Sequence, residues 1–256
     1  MTPSEGSCAL TDEFAAHEPS YRRAGITDRR RSSHDAQQLP SKSSRRGRGV
    51  RRSAHDRRAS EMTRVIANLS MSVDGFIADR DDGVQELFGW YADGPVTVED
   101  FAGRKSHMTE ASAALFRDAL ANTGAFLVGR RLYDHTNGWG GRPPANAPMV
   151  VVTHHPPDDW PRDGVPITFV SEGIERAVAE AKTLAGDGDV GVAGAQLARE
   201  CLDAGLLDEI VINLVPVVLG HGIAFLAGIA NGPVQLEDPA VTEAAGVTHL
   251  RYRVRR

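Results

Sequence analysis

The sequence predicts an α/β domain with a mainly parallel sheet, helices on its faces and antiparallel strands at its C-terminal end. Short apolar runs typical of buried strands alternate with amphipathic stretches at helical spacing up to residue 209, with glycine turns between them. From residue 210 only strand patterns follow, and the last two alternate as in an exposed hairpin. These patterns all lie within residues 62–256, a length that suits one domain.

The first 61 residues differ from the rest in composition. They carry 13 Lys and Arg against 8 Asp and Glu, whereas residues 62–256 carry 16 against 26. Few apolar residues cluster there, so we predict a disordered Arg-rich extension, because nothing offsets the entropy of ordering it. Three explanations stay open: a start codon placed too early, with Met62 as the true start; a dispensable tail; or a basic arm for an anionic partner. Nucleic-acid binding is expected of this tail at most.

The cysteines and the hydropathy of the sequence limit the cellular environments in which the protein is expected. Cys8 and Cys201 predict neither a disulfide framework nor a zinc site, which fits a reducing, cytoplasmic environment. No apolar run has the length of a membrane span, and none follows the N-terminal arginines as in a secretory signal. No metal is expected, since His154 and His155 point oppositely on an extended chain and have no Glu or Cys partner nearby.

The first predicted strand covers residues 64–71 and ends before an Asp74-Gly75 turn, after which Phe76 resumes the apolar run. Asp74 thus lies at a sheet edge, where it either contacts a ligand or serves the turn alone. Residues 80–109 are predicted to be irregular, and their aromatic group at 87–91 is expected to fill the core rather than roof a pocket. A helix follows from 109 to 122.

Two later strands end in groups suited to anions. The run 125–129 is a buried-type strand that closes on Gly129, directly before Arg130 and Arg131. Guanidinium groups beyond the carboxyl end of a strand suit a bidentate phosphate contact, although paired arginines are also common on solvated surfaces. The turn at Trp139 is placed to line the same crevice, and the strand 148–152 ends at Thr153.

Residues 189–209 combine a short strand, a turn at Gly194 and a helix that stops at Gly205. A strand that ends in glycine and opens directly into a helix leaves backbone N–H groups free at the positive end of the helix dipole. This pattern predicts either a seat for a pyrophosphate or an ordinary turn. A strand at 167–170 and a helix at 173–185 precede it, and a strand broken by Pro216 follows.

Four segments, in this order, resemble a known group: residues 69–78, 128–134, 190–197 and 205–222. Together they are similar to the dihydrofolate-reductase-like fold family, in the branch related to the reductase domain of riboflavin-biosynthesis deaminase-reductases. The resemblance covers nearly all of residues 62–256. It implies the mixed, mainly parallel sheet of that family, a homodimer, and NADPH bound across the carboxyl edge of the sheet.

The resemblance also assigns site residues. It implies that the adenosine-side phosphates contact Gly129, Arg130 and Arg131, and that the 2′-phosphate end contacts Thr153. It places the pyrophosphate on Ala193, Gly194, Ala195, Gln196 and Leu197. The paired arginines favour NADP over NAD, because an extra phosphate dianion must be neutralised. Asp74 is the candidate for orienting or protonating the acceptor, and Phe76 and Trp139 are candidates for stacking on a planar substrate.

The sequence departs from the riboflavin enzymes at two points. Residues 1–61 contain neither the His-x-Glu nor the Pro-Cys-x-x-Cys of a zinc deaminase. Val192 stands where those reductases tend to have a Glu that contacts the ribosyl substrate. The acidic residue on the first helix of folate reductases is not recognisable either, since Glu110 fits helix-start chemistry better.

The expected function is NADPH-dependent reduction of a small, planar or imine-containing metabolite by hydride transfer. Within enzymes, the alternative is a stand-alone riboflavin-pathway or dihydrofolate-type reductase. From another class, the alternative is a nucleotide-binding sensor without turnover.

Overall fold

The computed structural model describes residues 63–100, 103–141, 144–157 and 166–256. The predicted disorder of residues 1–61 and the proposed start at Met62 lie outside these ranges. The described strands are β1 (Val65–Ser72), β2 (Val96–Glu99), β3 (Lys105–Met108), β4 (Thr123–Gly129), β5 (Met149–Val152), β6 (Ile167–Val170), β7 (Asp189–Ala193), β8 (Glu209–Val215), β9 (Ala240–Ala244) and β10 (Val247–Arg253). The described α-helices are α1 (Gln85–Phe88), α2 (Glu110–Asn122), α3 (Arg130–His135), α4 (Ile174–Ala185) and α5 (Ala195–Asp203).

Eight of these strands form one sheet in the order β6-β5-β4-β7-β1-β8-β10-β9. In this order, the first six strands, from β6 at the edge through β5, β4, β7 and β1 to β8, pair in parallel. Strand β10 runs antiparallel to both of its neighbours, β8 and β9. Crossover connections make the parallel pairs possible, and the short turn between β9 and β10 permits only an antiparallel hairpin. The predicted mixed, mainly parallel sheet with antiparallel C-terminal strands is therefore confirmed.

The two faces of the sheet bury different side chains, because successive residues of a strand point to opposite faces. In β4, Ala125 and Leu127 join the main core, whereas Val128 belongs to a second cluster together with Met149. Helices α4 and α5 cover the main core with small and medium apolar residues. These are Ala177, Val178 and Ala181 of α4, and Leu197, Ala198, Cys201 and Leu202 of α5.

The segment between β1 and α2 is more regular than the sequence predicts. It contains helix α1 and the hairpin of β2 and β3. The helix and each of the two strands have only four residues, which is too short to show a clear period in the sequence. Leu87 and Trp90 are buried here, and the indole Nε1 of Trp90 donates a hydrogen bond of 3.2 Å to Ser70 Oγ. The expectation that the aromatic group fills the core is confirmed.

Charged residues cluster at the amino edge of the sheet. The Glu209 side chain is 4% exposed and accepts hydrogen bonds from Arg64 Nη1 at 3.1 Å and Arg251 Nε at 2.6 Å. Arg64 also pairs with Asp189, and Arg256 pairs with Asp208. Since β1, β7 and β8 are parallel, this cluster joins their starts and lies opposite the edge where they end.

Within the described part of the chain, no helix combines the length and the apolar character needed to cross a membrane.

Candidate active site

Three adjacent parallel strands bring the predicted phosphate contacts to one edge of the sheet. In the register of the sheet, Gly129 at the end of β4 pairs with Val152 of β5, and Val128 pairs with Ala193 of β7. The residues that follow these strand ends are Arg130, Thr153 and Gly194. They therefore share the carboxyl edge, where open α/β sheets bind ligands.

Arg130 and Thr153 meet at the backbone of His155. The guanidinium Nη1 of Arg130 donates a hydrogen bond of 2.5 Å to the His155 carbonyl oxygen. The Thr153 hydroxyl accepts a hydrogen bond of 3.2 Å from the His155 N–H. The Nε of Arg130 also donates to both carboxylate oxygens of Asp134, at 2.8 and 2.9 Å. These contacts hold the ends of β4 and β5 together.

Arg131 lies in the first turn of α3 and points to a different partner. Its Nε and Nη2 donate to Asp82 Oδ2 at 3.0 and 2.7 Å. The Arg131 side chain is 72% exposed. Asp82 belongs to the 79–83 loop, so this ion pair joins α3 to the segment that follows β1.

The end of β7 forms the turn predicted to seat a pyrophosphate. Gly194 has φ +113° and ψ 141°, a backbone conformation that only glycine adopts readily, and as the N-cap of α5 it supplies no capping side chain. The first N–H groups of α5 have no partner within the helix, since helix geometry gives them none. The N-terminus of α5 thus brings donors without an intrahelical partner, and the positive end of the helix dipole, to the same edge.

The side chains of this turn point elsewhere. Ala195 and Leu197 are buried in the main core, and the Gln196 amide donates to Glu200 Oε1 at 2.9 Å. Ala193 packs against the cluster of Val128 and Met149. A phosphate would therefore contact the backbone of Ala193, Ala195 and Leu197. Gln196 could contribute its side chain as well, if the amide rotated away from Glu200.

Gly129 differs from Gly194, because its φ of −82° is open to any residue. A Cβ added there would lie 4.0 Å from Leu197 Cδ1, an ordinary contact distance. The backbone of position 129 thus needs no glycine. The missing side chain leaves space between the C-terminal end of β4 and the first turn of α5.

Asp74 clamps two loops. Its carboxylate accepts hydrogen bonds from the N–H groups of Leu219, at 3.1 Å, and Gly220, at 2.7 Å. A hydrogen bond with Ser72, followed by those of Gly220 and Leu219, lowers the pKa of Asp74 below its ordinary value. Of the two roles considered for Asp74, this arrangement favours orientation over protonation, because a carboxylate stabilised as an anion is a poor proton donor at neutral pH.

The two aromatic candidates lie in separate places. Phe76 pairs with Ala224 in an isolated antiparallel bridge, and its N–H donates to Ser72 Oγ at 3.0 Å. Trp139 lies in the turn after α3, with φ +52°, and packs against the cluster of Val128 and Met149. Stacking of both on one substrate stays a prediction.

Sequence reasoning missed an acidic residue beside the site. The first helix of the domain is α1, with Glu86 in its first turn, and Glu110 starts the later helix α2 behind the N-cap Thr109. Glu86 lines a cavity of about 280 Å³ together with Asp79, Gly83 and Leu219. The signal was the position of Glu86 three residues after the Asp82-Gly83 turn and directly before the apolar pair at 87–88, inside a segment interpreted as irregular.

Val192 is 2% exposed and faces the main core. The Val192 side chain therefore packs inside the protein and does not reach the carboxyl edge of the sheet, where a substrate would bind. Across the described ranges, no group of three or more His, Cys, Asp or Glu side chains is arranged to hold a metal ion.

The sheet order and the glycine-opened α5 define a dihydrofolate-reductase-like domain of the α/β class. Residues 63–244 match the model of the RibD C-terminal domain, and the chain belongs to this family. The predicted family is thus confirmed. Membership of this family supports an oxidoreductase of the riboflavin-reductase type.

The individual proteins that resemble this chain share less than a quarter of their aligned residues with it. One relative is the uncharacterized protein YwjB of Bacillus subtilis (strain 168), 24% identical over 168 residues that make up 66% of this chain and 85% of YwjB. A putative riboflavin biosynthesis protein from Shewanella sp. PV-4 has a similar structure, with 18% identity, a TM-score of 0.59, and coverage of 76% of this chain and 100% of that one. Dihydrofolate reductase from Enterococcus faecalis, complexed with NADP(H), gives 16% identity, a TM-score of 0.47, and coverage of 75% and 97%.

Proposed function

We propose that this domain is an NADPH-dependent reductase that transfers hydride to a small, planar or imine-containing metabolite. One observation carries the proposal: Thr153, Arg130 and Gly194 follow three adjacent parallel strands and share one edge of the sheet. Cationic side chains, a hydroxyl and free helix N–H groups are the donors that a chain of phosphates requires.

The residues of the edge would divide the cofactor between them. Backbone N–H groups at the start of α5 suit the pyrophosphate, and Arg130 and Arg131 suit the phosphates on the adenosine side, with Thr153 at the 2′-phosphate end. The reduced nicotinamide, when bound, supplies the hydride. The protein's own contribution is to hold the acceptor carbon against it and to exclude water.

The acceptor would occupy the cavity beside Glu86. In this proposal the Asp74 clamp fixes Leu219, which lines that cavity, so Asp74 acts by orienting the wall and not by giving up a proton. A carboxylate such as Glu86 accepts hydrogen bonds from ring N–H and amino groups, which favours a nitrogen heterocycle as the acceptor. Such a contact would favour the second candidate, a pyrimidine or pteridine reductase of the riboflavin or folate type.

The remaining expectations belong to the same proposal. The enzyme is expected to act as a cytoplasmic homodimer on a small-molecule substrate, and the acidic charge of residues 62–256 disfavours nucleic acid as its partner. Any weak contact with an anionic partner would be made by the basic segment 1–61. Comparing retention on nucleic acid at low salt for residues 62–256 and for the full chain tests this point.

Fluorescence titration with NADPH tests the cofactor. We expect binding by the full chain and a loss of affinity of about 10-fold for Arg130→Ala, since a charge-assisted contact is removed. Arg176→Ala is the matched control, because Arg176 also pairs with a carboxylate one turn later on a helix, at 3.1 Å from Glu180. Equal losses in the two variants, or no binding by the wild type, would contradict the proposal.

A screen of oxidised nitrogen heterocycles for NADPH consumption tests the reaction. Consumption with one of them, lost in Glu86→Gln, supports the reductase and its acceptor cavity. If NADPH binds and no acceptor ever oxidises it, the result favours the alternative of a nucleotide-binding sensor without turnover.

A further inference from the structure

Arg130 and Arg131 are neighbours in the sequence, yet they contact different segments of the protein. Arg130 donates to the carbonyl oxygen of His155, beyond the end of β5. Arg131 donates to Asp82, in the segment that follows β1. In the sheet, β5 flanks β4 on one side, whereas β7 and then β1 lie on the other. Arg130 is therefore the arginine on the side of Thr153, and Arg131 turns away from it.

The ion pair with Arg131 covers the carboxylate of Asp82. The Asp82 side chain is 25% exposed, and Arg131 is its one ion-pair partner within the described residues. Asp82 Oδ2 accepts hydrogen bonds from both Nε and Nη2 of Arg131, at 3.0 and 2.7 Å. A carboxylate that has lost most of its contact with water is destabilised without a cationic partner. The position of Asp82 therefore depends on Arg131.

The 79–83 loop carries this contact to the cavity beside Glu86. Asp79 Oδ1 accepts the Gly83 N–H at 2.7 Å, and the Asp79 N–H donates to the Gly83 carbonyl at 2.9 Å. A Cβ on Gly83 would lie 2.3 Å from Asp79 Oδ2, so the loop closes tightly on this side chain. Asp79 and Gly83 both line the cavity. Because Asp82 directly precedes Gly83, a shift of Asp82 would move the cavity wall.

The loop is anchored at its start and at its tip. At the start, the Ile223 N–H donates to the Ala78 carbonyl at 2.9 Å. At the tip, Arg131 holds Asp82, whose φ of +66° lies in the left-handed region that Asp and Asn enter more readily than most residues. The contact at the start joins two backbones, whereas the contact at the tip joins two side chains. Substitution of Arg131 would therefore release the tip and leave the start in place.

We propose that Arg131 is a positioning residue of the acceptor cavity, which through Asp82 fixes the wall against which an amino-substituted nitrogen heterocycle binds. This inference rests on the proposed function and refines it, because it leaves the cofactor phosphates to Arg130 and assigns Arg131 to the acceptor. Arg131 acts through Asp82 and does not itself touch the substrate.

Calorimetric titrations of the full chain with pterin, a 2-aminopteridine, and separately with NADPH test this assignment. Pterin has an amino group and a ring N–H that suit the carboxylate of Glu86. Arg131→Gln should weaken pterin binding about 2- to 5-fold, the range that an exposed ion pair allows, and leave the NADPH affinity unchanged. Arg131→Lys keeps a cation beside Asp82 and should restore part of the lost affinity for pterin.

A double-variant cycle identifies the ion pair as the cause. Asp82→Asn tolerates the backbone conformation and removes the charge, so it should weaken pterin binding as Arg131→Gln does. In the double variant the two losses should not add, because either change alone already removes the ion pair.

Two other arginines provide the controls. Arg130→Gln should give the crossed result, with weaker NADPH binding and an unchanged affinity for pterin. Arg176→Gln removes an exposed ion pair with Glu180 on another helix and should change neither affinity.

The proposal is overturned if Arg131→Gln leaves pterin binding unchanged, or if it weakens NADPH binding as well. It is also overturned if the losses of Arg131→Gln and Asp82→Asn add in the double variant, or if the wild type binds NADPH and does not bind pterin. Failure of the proposed function has a different signature, since then the wild type does not bind NADPH.

Discussion

The imidazole Nδ1 of His249 lies 2.7 Å from the side-chain oxygen of Asn213. An amide oxygen only accepts, so Nδ1 carries the proton and Nε2, 2.9 Å from Ser112 Oγ, accepts from the hydroxyl. His249 is 4% exposed, and the edge of Trp90 packs against its ring at 5.2 Å between centroids. A neutral histidine thus satisfies every polar neighbour and links α2 to the centre of the sheet.

Burial lowers the pKa of His249, so the folded protein resists its protonation. The unfolded chain takes up this proton near the ordinary pKa of about 6.5. We therefore expect the free energy of unfolding to fall as the pH drops below about 6.5, and this decrease to level off below the folded-state pKa. Urea unfolding between pH 5 and 8, at intervals of half a unit, measures the dependence.

His249→Asn should flatten this part of the curve, at a lower stability overall. His107→Asn is the control, because His107 is exposed on β3 and should leave the slope as it is. An unchanged slope in His249→Asn would show that another group is responsible.

Gly194 offers a test of the α5 turn. Gly194→Ala should cost about 1–3 kcal/mol of unfolding free energy, since φ +113° is strained for a residue with a Cβ, and it should also weaken NADPH binding. Gly205, at the other end of α5 with φ +66°, gives the matched variant. Gly205→Ala should destabilise through the same kind of strain and leave the NADPH affinity unchanged. Thermal melts and fluorescence titrations of both proteins distinguish strain from loss of a binding site.

Asp74→Asn should raise the KM for the acceptor and lower kcat/KM by about 10-fold, because an amide cannot accept both N–H groups that fix the cavity wall. Since the pKa of Asp74 is lowered, the pH profile of kcat/KM near neutrality should keep its shape. Asp187→Asn, an exposed carboxylate at the opposite edge, should change neither parameter. Disappearance of a titration step in Asp74→Asn would instead identify Asp74 as the proton donor.

Cys201 should be inert to thiol reagents in the folded protein. Burial, with smaller contributions from Glu200 and Glu175, raises the pKa of Cys201 to about 12, so almost no thiolate forms at neutral pH. A Cys8→Ser variant leaves Cys201 as the one thiol of the chain. A coloured disulfide reagent should then react only after denaturant is added, and rapid reaction of the native protein would contradict this packing.

The buried strands were predictable from sequence because their apolar runs reflect burial on both faces of a parallel sheet. The strand–glycine–helix pattern likewise gave the place of Gly194, since backbone geometry at such a turn is local. Strand ends that share an edge followed from the parallel arrangement. This is why Arg130 and Thr153 lie where the sequence indicates.

The rest depended on contacts between distant segments. Residues 96–99 and 105–108 form strands that are short and mixed in polarity, so neither period could identify them. Glu86 was missed with them. The partner of Arg131 was equally out of reach, because no local pattern links a loop aspartate to an arginine 49 residues later.

The cluster around Glu209 has a practical consequence. Arg64 opens the domain and Arg251 and Arg256 close it, and all three are tied to the edge that faces away from Gly194. A solid support or a fluorescent fusion attached at Arg256 would therefore leave the edge that holds Gly194 open, which suits the domain to surface-immobilised binding assays.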